Sequence, residues 1–413
     1  MLKCPYESID SVVNQFVSLY GECSEFQKER YENAFENFKK TFNADACYIA
    51  SSSGRVEVLG NHTDHNGGRV LSCAISLDTL AMFLPNNENV IRIFSEGYTP
   101  IVVDLGGADV EIKGTSSALV RGVAVAVKNK GYKVGGFNAT FTSNVCGGAG
   151  ISSSASFEVL VAEILNFLYN DGNISPEEKA VIAQYSENVY FEKPCGLLDQ
   201  TAIAFGGLKR LDFSNKTKIS VTEVNNPLAD YTLVLVNTGG SHANLTDEYA
   251  SIPQEMFSVA KLFGKERLIE ISKQEFFEKL PDLMDKLSDR AILRAVHFYE
   301  ENERVDSAYD ALNNDDYCGF LKAVKDSGIS SMNKLQNCFV AGSNEQLIPK
   351  ALAISANYLN GGVNRVHGGG FAGTTLNVVK NCDAKAFIEN LKPFYGEKNI
   401  IPLKVRSVGT IVL

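Results

Sequence analysis

Several features are missing from this chain of 413 residues, and each absence closes a class of function. No apolar stretch approaches the roughly 18 to 20 residues that a membrane-spanning helix needs, and the start, Met1-Leu2-Lys3-Cys4-Pro5-Tyr6-Glu7, lacks the apolar segment of a signal peptide. A cytoplasmic protein is expected. There is no basic run, and 49 acidic residues against 39 basic ones give a net charge of −10. That balance argues against nucleic acid or an anionic membrane as partner and toward a small polar substrate. The nine cysteines, scattered from Cys4 to Cys382, form no C-x-x-C pair and read as reduced thiols rather than a disulfide framework or a zinc site. Without secretion, the triplets Asn61-His62-Thr63 and Asn138-Ala139-Thr140 are chance matches to a glycosylation site. No internal repeat or low-complexity tract interrupts the chain.

What is present centres on residues 144 to 156, Asn-Val-Cys-Gly-Gly-Ala-Gly-Ile-Ser-Ser-Ser-Ala-Ser. Upstream, Phe137, Ala139 and Phe141 alternate with polar residues, the period of a strand buried on one face. Downstream, Phe157, Leu160, Val161, Ile164, Leu165 and Leu168 recur at helical spacing. Strand, glycine loop and helix in that order suit an anion, because glycines admit close approach and the first helical turn has free N–H groups. No Lys-Ser/Thr follows the glycines as in a P-loop, and Ser153 stands where a dinucleotide fingerprint needs its third Gly.

The length allows two or three domains, and 45% hydrophobic residues can fill their cores. A boundary is expected near 225, separating residues 1–225 from 226–413. Residues 24 to 42 carry Tyr31, Phe35, Phe38 and Phe42 on one helical face. Residues 48 to 75 read as a short strand over Tyr48 to Ala50, a polar loop, and a second strand from Val70 to Ile75. Arg55, His62, Asp64 and His65 crowd into that loop although the chain has only five histidines. Adjacent loop ligands rarely close a metal site, so a polar substrate pocket is the preferred reading. Ser175-Pro176-Glu177-Glu178 starts a helix carrying Glu187, and Asp199 follows in the loop Cys195-Gly196-Leu197-Leu198-Asp199-Gln200. Residues 250 to 360 are helical and charged, and Gly368-Gly369-Gly370 forms a second glycine-rich turn running into a strand.

Together these stretches resemble the GHMP small-molecule kinases and, within them, the galactokinases. Gly54 to Gly68 is similar to the signature G-R-V-N-L-I-G-E-H-T-D-Y-N-x-G, and the central loop to P-x-G-A-G-L-S-S-S-A. Cys195 to Gln200 resembles C-G-I-M-D-Q, and Gly368 to Thr375 resembles G-A-G-F-G-G-C-T. The resemblance implies a two-domain α+β architecture with the active site between the domains, and transfer of the γ-phosphoryl of ATP to the anomeric hydroxyl of a hexose. Carried over residue by residue, it implies that Gly148, Ala149, Gly150, Ile151, Ser152, Ser153 and Ser154 cradle the ATP phosphates and that Ser154 and Glu187 hold Mg²⁺. Asp199 becomes the base, Arg55 the partner that stabilises transferring charge, and Asn61, His62, Thr63, Asp64 and Tyr249 the grip on the sugar. A monomer that takes a small sugar and ATP is expected.

The sequence also departs from the family pattern. Ser53 and Cys146 stand in place of prolines, His65 in place of Tyr, and Asn61 in place of a Glu that contacts the sugar far from the anomeric centre. With Asn61 uncharged, galactose is the expected substrate and galacturonate or N-acetylgalactosamine the alternatives. A non-catalytic sugar and ATP sensor is disfavoured because Asp199, Arg55, Glu187 and Ser154 are all present. An oxidoreductase resting on Gly148-Ala149-Gly150 leaves the other motifs without a use.

Overall fold

The polar residues from Ser51 to Glu57 lie in a strand, not in the loop expected of them. In the computed structural model, which describes residues 4–107, 112–145, 147, 150–193, 195–225, 228–240 and 245–413, twelve strands and twelve α-helices are named here in chain order. The strands are β1 (Tyr48–Leu59), β2 (Arg69–Pro85), β3 (Val90–Ser95), β4 (Ile101–Asp104), β5 (Phe137–Ser143), β6 (Leu208–Asp212), β7 (Ser220–Glu223), β8 (Tyr231–Asn237), β9 (Val363–Val366), β10 (Thr374–Lys380), β11 (Ile400–Leu403) and β12 (Ile411–Val412). The helices are α1 (Phe16–Tyr20), α2 (Glu25–Phe42), α3 (Ser116–Asn129), α4 (Ser153–Tyr169), α5 (Pro176–Tyr185), α6 (Leu198–Phe205), α7 (Thr246–Leu262), α8 (Lys273–Lys279), α9 (Asp289–Asn313), α10 (Tyr317–Ser330), α11 (Leu347–Ala356) and α12 (Asn381–Tyr395).

An eight-stranded sheet runs in the order β12-β1-β2-β5-β3-β4, with β6 also pairing β2 and β7 pairing β6. Every residue of β1 is buried, because helices cover both faces of the sheet there. Tyr48, Ala50, Ala81 and Phe83 pack with Val123 and Val127 of α3 and Leu160 and Ile164 of α4. Ile49, Leu80 and Met82, the alternate positions, pack with Tyr31, Phe35 and Phe38 of α2. Two of the three serines of β1 are satisfied by distant partners: Ser51 bonds the Asp78 carboxylate and accepts from Arg406 Nη1 at 2.6 Å, and Ser52 pairs with Thr410 at 2.8 Å. The polar loop between β1 and β2 is thereby cut back to residues 60–68.

The second sheet, β11-β8-β10-β9, is antiparallel throughout. Leu233, Leu235, Leu376 and Val378 on one of its faces join Val56, Val58 and Leu71 of the large sheet, with α9 and α10, in one continuous core. The other face, Val234 and Val236, is covered by Phe387 and Leu391 of α12. This is the two-domain α+β architecture expected, and its seam carries the motif stretches named above. The chain end returns across the seam: β12 pairs β1 at Ala50 and Ser51, and the Leu413 N–H donates to the Ile49 carbonyl at 2.9 Å. Among the described residues, no helix is long and apolar enough to cross a membrane.

Candidate active site

The glycine loop is anchored at both ends. Where it leaves β5, Asn144 clamps the backbone of Asp78, its Oδ1 accepting from the Asp78 N–H at 2.6 Å and its own N–H donating to the Asp78 carbonyl at 3.1 Å. Where it enters α4, Gly150 and Ser152 both take left-handed backbone (φ 69° and 63°), a turn that glycine adopts freely and serine only under tertiary constraint. Ser152 does not cap α4 with its side chain. It donates instead to Asp199 Oδ2, while Ser154, in the first turn of the helix, donates to Glu187 Oε1 at 3.1 Å. Ile151 is fully buried, Ser153 opens the helix, and Gly148 and Ala149 lie outside the described residues.

Arg55 and Asp199 meet at the centre. Arg55 sits in β1 beside a register shift between Ser53 and Arg55, and only 7% of it is exposed. Its Nε donates to Asp199 Oδ1 at 2.8 Å and its Nη1 to the Gly150 carbonyl, so one planar guanidinium joins the carboxylate to the loop. Asp199 is not in a loop, as its surroundings in sequence suggested, but in the first turn of α6, and its side chain remains 33% exposed. Asp64 approaches from the third side. A Cβ placed on Gly196 would lie 1.9 Å from Asp64 Oδ2, so glycine at 196 is what lets the two loops touch. Burial raises the Asp64 pKa, against the lowering effect of His62.

The remaining residues expected to hold the sugar form a different arrangement. The Tyr249 hydroxyl donates to the Gly370 carbonyl at 2.9 Å, and His62 Nε2 lies 3.0 Å from the Gly369 carbonyl, which makes it the donor of a neutral imidazole. Burial is the largest cause lowering the His62 pKa, with His65 adding to it. Asn61 has no exposed surface: its amide N–H groups go to Glu57 Oε1 at 2.8 Å and the Gly368 carbonyl at 2.7 Å, and its Oδ1 accepts from Asn337 at 2.7 Å. Thr63, also fully buried, has its hydroxyl 2.9 Å and 2.8 Å from the carbonyls of Gly60 and Arg69 in the neck of its own loop. In this arrangement neither Asn61 nor Thr63 has a side-chain donor left over. Asn61 is held in part by groups from distant parts of the chain, Gly368 and Asn337, and Thr63 by its own loop.

Glu187 lies on a π-helical turn, Ser186–Tyr190, that continues α5. It is 3% exposed and takes Ser154, Lys193 Nζ (2.9 Å) and Gln200 Nε2 (3.0 Å). Two further groups were missed by sequence reasoning. Among the described residues, Gln200 Oε1 and both oxygens of fully buried Glu158, one turn beyond Ser154 on α4, have no hydrogen-bond partner. Glu57 is the other. Only 5% exposed, it touches Asn61, with Arg365 3.5 Å away, and burial pushes its pKa up to about 7 despite the arginines nearby. The signal for Glu57 was in the motif itself, which carries Asn at this position and Glu at that of Asn61. Here the two residue types are exchanged.

Comparison with known proteins bears on this geometry. The profile of the galactokinase galactose-binding signature matches residues 36–85, and that of the GHMP kinase N-terminal domain matches residues 118–207. A galactokinase of Clostridium acetobutylicum is 31% identical over 375 residues, covering 88% of this chain and 93% of that protein. One from Lacticaseibacillus casei is 30% identical over 372 residues, with shares of 88% and 93%. Among solved structures, Lactococcus lactis galactokinase complexed with galactose superposes with a TM-score of 0.80 at 26% identity, covering 92% of this chain and 98% of that one. The mevalonate kinase of Methanococcus jannaschii, at 15% identity and a TM-score of 0.61, shares the fold. By sequence over most of its length as well as by fold, the chain belongs to the galactokinase family of the GHMP kinases.

Proposed function

We propose that the protein is a galactokinase, transferring the γ-phosphoryl group of ATP to the anomeric hydroxyl of galactose. The observation that carries the reading is the Arg55 fork, which ties the Asp199 carboxylate to the Gly150 carbonyl and so joins a candidate base to the phosphate loop in one rigid unit. In the step proposed, the anomeric oxygen attacks the γ-phosphorus, its proton passes to Asp199, and the bond to ADP breaks. Arg55 orients the carboxylate and faces the charge that shifts in transfer, while the residues from Gly148 to Ser154 hold the phosphates. Phosphoryl transfer asks for this: alignment of nucleophile and phosphorus, and fixed positive or N–H groups at the phosphate oxygens. Asp64 and Asp199 are left as the carboxylates that approach the pocket, with Tyr249 and His62 forming its wall.

A Mg²⁺ ion fits the residues present. Ser154 Oγ and the Glu187 carboxylate would hold it, and the unpartnered oxygens of Gln200 and Glu158 supply further hard donors close by. Among the described residues, no group of three or more His, Cys, Asp or Glu side chains is placed to hold a metal ion unaided, in keeping with a cation that leans on substrate phosphates. When bound, it would supply positive charge that offsets the charge on the phosphates during transfer.

The reading is tested by ATP consumption across galactose, other hexoses, pentoses, galacturonate and N-acetylgalactosamine. The highest kcat/KM is expected for galactose. A clear preference for galacturonate would favour the alternative substrate, yet Asn61 has no N–H free for a carboxylate and Asp64 would repel one.

A further inference from the structure

Three consecutive carbonyls of the glycine turn, those of Gly368, Gly369 and Gly370, are each held by a residue that the sequence assigned to the sugar. Asn61 donates to the first at 2.7 Å, His62 and Asn337 to the second at 3.0 Å and 3.2 Å, and Tyr249 to the third at 2.9 Å. Close packing leaves this turn no room for a side chain at Gly369 or Gly370. A Cβ on Gly369 would lie 2.6 Å from the Tyr249 ring, and one on Gly370 2.1 Å from the Asn337 carbonyl. Its other side lies next to the phosphate loop: a Cβ on Gly368 would come 3.9 Å from the Gly150 carbonyl and one on Gly150 3.6 Å from the His367 ring. His367 is itself tied to β1, its Nε2 accepting from the Glu57 N–H at 3.3 Å.

We propose that Asn61 is a positioning residue for the nucleotide rather than a reader of the sugar: held by Glu57 and Asn337, its amide clamps the turn at Gly368–Gly370, and the turn in turn fixes the phosphate loop at Gly150. The exchange of residue types belongs to the same device. A carboxylate at 57 and an amide at 61 satisfy each other across 2.8 Å, as the reverse order would, but only the order present here leaves the amide free to donate to the Gly368 carbonyl as well. A carboxylate at 61 is an acceptor alone and cannot make that bond while ionised. The inference deepens the kinase reading and rests on it for the identity of the loop's ligand.

The test is binding of a fluorescent ATP analogue with Mg²⁺, without sugar, alongside kcat/KM for galactose and 6-deoxygalactose. Asn61→Ala is expected to weaken the analogue roughly fivefold, the loss from one buried hydrogen bond, and to leave the galactose to 6-deoxygalactose ratio unchanged. Tyr249→Phe removes only the hydroxyl on the Gly370 carbonyl and should weaken the analogue in the same direction, which keeps the test open if Asn61→Ala folds poorly. Asn61→Glu sets two carboxylates against each other and should bind the analogue worst, and adding Glu57→Asn should recover part of the loss. Unchanged analogue affinity in Asn61→Ala and Tyr249→Phe, with a shifted sugar ratio, would overturn the inference and return Asn61 to the sugar. A wild-type protein that binds the analogue but phosphorylates no sugar would instead sink the kinase reading and leave the clamp standing.

Discussion

Asp199 and Arg55 come from sequence positions far apart, and their meeting at 2.8 Å is the residue-scale fact on which the chemistry depends. If Asp199 accepts the hydroxyl proton, Asp199→Asn lowers kcat by roughly 10² to 10⁴ while galactose and nucleotide still bind. Turnover within about threefold of wild type would remove Asp199 from that role. Arg55→Lys is expected to be nearly as poor, because an ammonium cannot contact Asp199 and the Gly150 carbonyl in one plane. Steady-state kinetics on both variants decide this. At this scale the motifs were a good guide to the residues that converge and a poor one to what each side chain touches. Asn61 and Thr63 sit in the signature beside Asp64, yet Thr63 is turned inward onto the carbonyls of Gly60 and Arg69 in its own loop, and Asn61 by Asn337, a partner 276 residues away that no local spacing reveals.

At the scale of elements, the strand before the glycine loop and the helix after it were legible from their periods of two and about 3.6, and the structure has them as β5 and α4. The extent of β1 was not legible. Ser51, Ser52, Arg55 and Glu57 look like loop composition until Asp78, Arg406, Thr410, Asp199 and Arg365 arrive from elsewhere in the chain as their partners. The π-helical turn carrying Glu187 was likewise read only as a continuing helix. Its position against Ser154 leads to a prediction: Glu187→Gln raises the Mg²⁺ concentration at half-maximal rate far more than it raises the galactose KM. A Mg²⁺ titration that superposes on wild type would leave Glu187 as a partner of Lys193 and Gln200 only.

For the whole molecule, the two-domain α+β class was legible through the family resemblance, while the return of the chain end to β1 was not, since a two-residue strand leaves almost no pattern. The seam between the two sheets sets the pH response. Burial pushes His65 and His297 down to about 4, so the unfolded chain takes up protons below its ordinary histidine pKa that the folded protein refuses until near pH 4. Stability contributed by these groups is therefore lost as pH falls from about 6.5 toward 4. Glu57 has the opposite sign. Raised to about 7, its proton is kept by the folded state and released by the unfolded one, so its contribution to stability is lost as pH rises through that range. Glu57→Gln should thus gain stability at pH 8, by on the order of 1–3 kcal/mol, and gain little at pH 4.5. Urea unfolding at the two pH values measures the difference, and an equal effect at both would mean that Glu57 titrates as an ordinary carboxylate.

The central claim is that this seam directs the γ-phosphoryl group of ATP to the anomeric oxygen of galactose. Phosphorus NMR of a reaction containing the wild-type protein, ATP, Mg²⁺ and galactose tests it most directly. The account predicts loss of the γ-phosphate resonance and growth of a phosphomonoester signal coupled to the anomeric proton of galactose, with both changes nearly absent for Asp199→Asn. Unchanged ATP, or a phosphomonoester coupled to the C6 protons, would contradict it.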